Sequence, residues 1–524
     1  MGEARATKWY YLAPTQEILF AKENSTQLEV SSMRPKLTLL SDYIIARILA
    51  EAYELLLHPG IKVQNEEARH LLKREGVVID ADTHVAQIPS SLVHRALESA
   101  PREFHLYDYH GNPTVHYGGD SVHFDPGSSG IAMLNPDTLE HDTTETEHLI
   151  RLLKVAEQIP QYDAQSTAVI CHDVPKDIQD SYRLYLALLY SKKPIVTGAF
   201  TNQTVQEMID MLALFAGSPE AAREKPRAIF DVCPAPPLIW SNFGAGNLIQ
   251  LARAGIPAEI VSVPLAGAAA PVTMLGTVTQ HTAEVLAGIT IHQLAHPGSP
   301  IVWGGAAAIF DMKKGATPMG AIETAMLDCS YAQVAKTLGM PTHTYLGATD
   351  SKLVDAQAGL ESGITAMVGA LSGINMISGS GMLDFLACHS VEKLVIDAEG
   401  IAMAKRMVMG VKQHTDTLAT GFYDEKINFK GGDFLKQKIT MQLFREEQHL
   451  PSDIIDRNST RQWKESGSLD AFGRAKLRVK ELLASYTRPE LAPNQTARLH
   501  SYMLDLAKKA GIEELPRLED LEVA

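Results

Sequence analysis

The sequence predicts an α/β protein: a (β/α)8 TIM barrel with an N-terminal α/β extension and a helical C-terminal tail. Three observations carry this. Short apolar runs bounded by Gly or Pro recur eight times between residues 130 and 378, as strands covered on both faces do. A helical pattern follows each run, at the spacing a parallel crossover requires. No GxGxxG follows any run, so a closed barrel is favoured over an open, doubly wound sheet.

Residues 1–118 read as the extension. Ser41 to Leu57 is helical, with Ile44, Ile45, Ile48, Leu55 and Leu56 apolar, and His58-Pro59-Gly60 stops it. Asn65–Glu75 reads as a second helix, Gly76–Ile79 as a strand, and Ser90–Ser99 as a third helix ended by Pro101. Turn residues from Tyr107 to Gly119 predict a hairpin. Residues 119–414 read as the barrel. Its strands are expected at Gly130–Leu134, Thr167–Cys171, Pro194–Ala199, Ala228–Cys233, Ala258–Val263, Pro300–Trp303, Thr342–Leu346 and Ile374–Ser378. Its helices are expected at Thr143–Gln158, Asp177–Tyr190, Thr204–Phe215, Ala245–Ala254, Val278–Leu294, Pro318–Leu338, Asp355–Leu371 and Ala398–Gly410. Residues 415–524 form a more charged helical tail, such as Gly473–Ala484 and Pro493–Ala510, suited to capping the barrel or contacting a second subunit.

Bulk properties narrow the function. The 524 residues are 45% hydrophobic and 21% charged, ordinary for a soluble globular chain. A net charge of −15 argues against nucleic acid or an anionic membrane as partner. Pro257 to Val278 is the most apolar window, but Glu259, Pro264 and Pro271 interrupt it, so it is not a membrane span. The four cysteines, Cys171, Cys233, Cys329 and Cys388, form no CxxC and are expected as buried free thiols. With no long apolar segment at the N-terminus, a cytoplasmic enzyme is expected.

In a barrel the loops after the strands converge on one face, where active sites lie. That places Phe124-Asp125, His172, Trp240, Glu259, Trp303, His343, Tyr345, and the loop holding Asp350, Ser351, Lys352, Asp355, Gln357 and Glu361, near one mouth. Each has a structural alternative. Trp303 and His343 serve equally as core residues, Glu259 as a structural carboxylate, and Asp350 and Asp355 as helix caps. His292 and His296 have metal-like i,i+4 spacing but no HExxH glutamate, and are read as stabilising a helix C-terminus. Cys171-His172 and Cys388-His389 are adjacent pairs, poor geometry for one zinc.

Three stretches resemble the trimethylamine methyltransferase (MttB) family of corrinoid-dependent methyltransferases: Leu265–Gly305, Gly347–Gly359 and Val391–Glu399. The resemblance runs from about residue 35 to about residue 460 and implies a TIM barrel that moves a methyl group from a methylamine to the cobalt of a corrinoid protein. The family's trimethylamine enzymes carry pyrrolysine, whereas this chain has only the twenty standard residues, resembling the branch that demethylates glycine betaine and related quaternary amines. The corrinoid (cobalamin) is then expected on a partner protein, with none bound tightly by this chain, which lacks a DxHxxG signature. A small quaternary amine is the implied substrate, and a homo-oligomer the expected assembly. Binding that cation wants aromatic faces and carboxylates. The candidates are Trp303, Tyr345, Phe124 and Trp240 for the first, and Glu259, Asp350 and Asp355 for the second, with His343, Lys352, His172, Gln357 or loop N–H groups for polar contacts. No catalytic acid, base or metal is expected. Two competing readings are a zinc-dependent methyltransferase barrel and a non-catalytic betaine-binding barrel.

Overall fold

The computed structural model describes residues 34–415, 417–423, 427 and 429–518. The chain divides into a small unit, Met1–Arg34 with Gly410–Gly432, and a large one, Pro35–Met409 with Asp433–Ala524. In the small unit the described residues include one 3-10 turn, Thr420–Phe422. Everything below concerns the large unit.

Eight parallel strands form its centre: β1 (His123–Pro126), β2 (Gln165–Ser166), β3 (Ile195–Gly198), β4 (Ala228–Val232), β5 (Ala258–Ser262), β6 (Ile301–Gly305), β7 (His343–Thr344) and β8 (Met376–Ser380). Hydrogen-bonded ladders run β2-β3-β4-β5-β6 and β7-β8-β1. A parallel bridge between Trp303 and Thr342 joins β6 to β7. The Phe124 carbonyl accepts from Asp163 N–H at 2.8 Å and joins β1 to β2. The sheet therefore closes into a barrel, and the predicted fold class holds.

Two strands sit elsewhere than expected. β1 lies upstream of Gly130–Leu134, whose Ala132–Leu134 part belongs to a side sheet with His141–Thr143, Met382–Leu383 and Cys388–His389. β2 likewise precedes Thr167–Cys171. Both true strands turn a polar residue inward, Asp125 and Ser166, and so look less strand-like than the apolar runs beside them.

A helix follows each strand: α1 (Thr146–Glu157), α2 (Gln179–Tyr190), α3 (Asn202–Ala216), α4 (Asn242–Ala254), α5 (Met274–Ala295), α6 (Ile322–Thr337), α7 (Ala356–Leu371) and α8 (Val391–Val408). Asp355 caps α7, accepting from Ala358 N–H at 3.1 Å. α8 starts earlier than expected because Ser390 caps it. Its first turns carry Lys393 and Asp397, charged residues that hide a buried helix from a hydropathy reading. α5 is buried on every side from Thr277 to Gln293, since the helices Asp42–Leu57 and Ser90–Ser99 of the extension pack across it. This explains why the helix in the Leu265–Gly305 stretch has no exposed charged face. His292, read as a dipole partner, is one of these buried residues. Burial lowers its pKa to about 3, so it stays neutral and gives the helix end no charge.

The hairpin Phe104–Tyr107/Pro113–Tyr117 plugs the N-terminal end of the barrel. Leu106, Val115 and Tyr117 pack there on Val196, Ile229, Val302 and Met376, all near strand starts. Helices Ala471–Ser485 and Pro493–Lys509 of the tail pack on α1, α8 and on α2, α3 respectively. All four cysteines are free; three are buried, but Cys233 is exposed. No helix among the described residues is long and apolar enough to cross a membrane.

Candidate active site

Side chains alternate in and out along each barrel strand. On β4 and β5 this turns Asp231 and Glu259 inward as register partners. On β7 it turns His343 inward, with Tyr345 two residues on. On β8 and β1 it turns Ser378 and Asp125 inward, again as partners. A polar layer thus lies inside the barrel. Below it is the apolar floor around Val302 and Met376; above it an apolar wall of Val261, Ala306, Met319 and Leu386 rises with Tyr345 toward the C-terminal mouth.

The layer is one connected cluster. Tyr345 Oη donates to Asp231 Oδ2 at 2.5 Å, and Tyr117 Oη, from the plug, donates to Glu259 Oε2 at 3.3 Å. His343 Nε2 lies 3.0 Å from Ser378 Oγ, which in turn donates to Asp125 Oδ1. One ligand atom each from Asp231, Glu259 and His343 lie within 4.8 Å of one another. Glycines make the room. A Cβ at Gly304 would meet Ile260 O at 2.8 Å and His343 Nδ1 at 3.0 Å, whereas one at Gly198 would meet nothing nearer than Asp231 at 3.5 Å.

Electrostatics follow from burial. Desolvation pushes the Asp125 and Glu259 carboxyls well above the usual range, and the Asp231 charge adds to both. Desolvation also lowers His343 to about 4, so its 3.8 Å approach to Glu259 Oε1 is not a salt bridge. Among the described residues no donor group reaches Asp125 Oδ2, Asp231 Oδ1 or Glu259 Oε1, and the Glu259 and Asp231 carboxyls face one another within hydrogen-bonding reach. Three carboxyl groups with spare acceptors and a tyrosine ring, enclosed by apolar walls, suit a small organic cation.

Of the residues expected from sequence, the structure brings together Glu259, His343 and Tyr345. Trp303 and Phe124 pair in register with Ile260 and Ile377 and face the helices, packed in the outer core. Trp240 is also buried there, donating its indole N–H to Glu284 O at 3.1 Å. Asp350 Oδ1 accepts from the N–H groups of Met319 (2.7 Å) and Gly320 (3.0 Å), holding the β6 loop. Lys352 is tied to the β8 loop, 3.3 Å from Asp384 and over the Phe385 ring at 3.9 Å. That loop is strained: Asp384, Phe385 and Leu386 all have positive φ, and Leu386 packs on the mouth wall. Gln357 is exposed and bonds Glu361 at 2.8 Å. His172 bonds Thr144 O at 3.0 Å.

Asp231, Ser378 and Tyr117 were not singled out, and Asp125 was named at the mouth but not among the cation-binding carboxylates. A signal existed for Asp231: a lone carboxylate in the apolar run AIFDV is hard to explain unless it faces a polar interior. Tyr117 offered none, because the plug reaches the site from far away in sequence.

The Val391–Glu399 and Leu265–Gly305 stretches support this layer. Lys393 Nζ bonds Asp397 (2.5 Å), Ser362 Oγ (2.7 Å) and Gly347 O (3.4 Å), while Asp397 accepts from Gly381 N–H (2.7 Å). Together they lock the loops after β7 and β8. Glu284 accepts from Ser262 Oγ (2.5 Å), Gln280 (2.9 Å) and Leu238 N–H (2.9 Å), locking those after β4 and β5.

A sequence profile for the family described as "Trimethylamine methyltransferase (MTTB)" matches residues 15–511. The trimethylamine methyltransferase MttB1 of Methanosarcina mazei is 33% identical over 83% of this chain and 88% of its own length. The glycine betaine methyltransferase of Desulfitobacterium hafniense is 29% identical over 92% of this chain and 100% of its own. A crystal structure of the Methanosarcina barkeri monomethylamine methyltransferase superposes with a TM-score of 0.49 at 10% identity, covering 86% of this chain and 89% of that one.

Proposed function

The chain belongs to the trimethylamine methyltransferase (MttB) family, and from that premise we propose that it moves a methyl group from a quaternary amine to the Co(I) corrinoid of a separate protein. The observation that carries the reading is the carboxyl-rich, tyrosine-walled layer inside the barrel. A Co(I) corrinoid supplies a strong nucleophile. A quaternary amine supplies a methyl group whose leaving group is already a neutral amine. The displacement then needs no general acid, only a cation held still with one methyl toward the mouth and water kept away. Asp231, Glu259 and Tyr345 would hold the cation; His343 and Asp125, linked through Ser378, would fix the layer. The absence of pyrrolysine supports a donor that needs no further activation. Relatives bearing the names trimethylamine and glycine betaine methyltransferase place methylated amines, betaine included, on the panel to be tested.

The cofactor's carrier fits the mouth. Large apolar side chains stand exposed on the loops or first helical turns after most strands: Ile131, Phe200, Phe243, Val272, Met312 and Leu353. Such a rim suits a protein partner. We place the enzyme in the cytoplasm, with that partner. The test mixes the purified chain, a corrinoid protein reduced to Co(I), and quaternary amines, following Co(I) absorbance. No loss of Co(I) with any donor would refute the proposal.

Asp231, Glu259 and His343 also form a ligand set for a divalent metal, which keeps a metal-dependent methyltransferase as the second reading. Metal analysis of the purified protein separates the two: stoichiometric zinc, iron or manganese, lost in Glu259→Gln, favours the second.

A further inference from the structure

Betaines carry a carboxylate close to the ammonium, so the site must be asked what would meet it. Between the end of each barrel strand and the next helix the chain has four cationic residues, Lys176, Lys313, Lys314 and Lys352, and no arginine. All four side chains are exposed. Lys352 is already held by the Asp350 carbonyl at 2.7 Å and by Asp384. Buried Arg183 is paired with Asp180 at 2.9 Å and donates to Thr167 O (2.9 Å) and Ser129 Oγ (3.1 Å). The glycine-rich turns offer little more. Gly127 N–H donates to Ser380 O (2.9 Å), Gly347 N–H to Thr365 Oγ1 (3.0 Å) and Gly381 N–H to Asp397. His343 Nε2 is already engaged by Ser378 Oγ at 3.0 Å. Among the described residues, the inward layer therefore presents three carboxyl groups with oxygens that no donor group reaches and no cationic group to answer a substrate carboxylate.

Resting on the quaternary-amine reading, we infer that this site selects an organic monocation, with a choline- or tetramethylammonium-like head and no carboxylate within reach. The selection follows from charge and from the placement of the groups. A carboxylate brought into an apolar-walled barrel beside Asp231 is repelled and left unpaired, while a bare ammonium is not.

Calorimetric titration of the full chain with tetramethylammonium, choline and glycine betaine tests this without cobalt. Tetramethylammonium and choline should bind about tenfold or more tightly than glycine betaine. Asp231→Asn should weaken the cations and narrow their lead over betaine; the wild-type comparison decides the matter even if that variant fails to fold. Betaine binding as tightly as the cations, or no binding of either class, would overturn the inference. The two proposals fail separately. Betaine that binds tightly and consumes Co(I) sinks only this one; cations that outbind betaine yet never consume Co(I) sink only methyl transfer.

Discussion

Gly198→Ala isolates the ligand space from the fold. Gly198 is half-buried, faces inward as the register partner of Asp231, and has no left-handed backbone requirement. An added Cβ would touch only Asp231, its Cβ and carbonyl oxygen both at 3.5 Å, an ordinary van der Waals distance. Nothing in the barrel has to move. The unfolded chain loses freedom, so the variant should be as stable as wild type or more stable by about 0.4–1 kcal/mol. The new methyl, however, stands beside the carboxylate that would hold the cation. Forcing a methyl into a filled site costs about 1–3 kcal/mol, roughly 5- to 150-fold in affinity. Thermal melting and titration with tetramethylammonium read the two effects independently. An unchanged affinity in a stable variant would mean that the cation does not sit against Asp231. A marked loss of stability would mean that Gly198 does not face open space.

Three further outcomes are expected. Trp303→Ala should cost about 3–5 kcal/mol of stability while leaving ligand affinity in the folded protein unchanged, because the indole packs outside the barrel; a selective loss of affinity in denaturant-free titration would put it in the site. Lys393→Ala leaves Asp397 buried without its partner and should destabilise by about 3–5 kcal/mol in urea melts; a loss under 1 kcal/mol would remove the pair as the lock on the β7 and β8 loops. His343 has its pKa lowered on folding to about 4, so its contribution to stability is present above about pH 6.5 and is lost as pH falls toward 4, amounting to about 3 kcal/mol. His343→Gln should therefore shrink the gap between urea midpoints at pH 7 and pH 5, and an unchanged gap would show that His343 titrates normally.

The alternation of β and α patterns was enough to read the barrel, because buried parallel strands are apolar along their length and need a crossover helix between them. Where that rule broke, the reading slipped. β1 and β2 carry Asp125 and Ser166 inward, so their apolar neighbours looked like better strands. The same polar residues mark the site. Glu259, His343 and Tyr345 were visible as polar or aromatic groups near strand ends. Trp303 and Phe124 looked equivalent to them, since position along a strand does not say which face a side chain takes.

Sequence alone therefore determined the fold class, the family likeness and half of the polar layer, because these rest on local pattern and on long matching stretches. Tertiary structure decided inward from outward, since a one-residue change of phase sends a side chain to the opposite face of the sheet. It also decided which distant groups meet. Tyr117 reaches Glu259 from 142 positions away, and Ser378 reaches Asp125 from 253 away, through the closure of the barrel and its plug. The carboxylates of the Asp350 loop hold backbone, and those of β1, β4 and β5 are left to face a ligand.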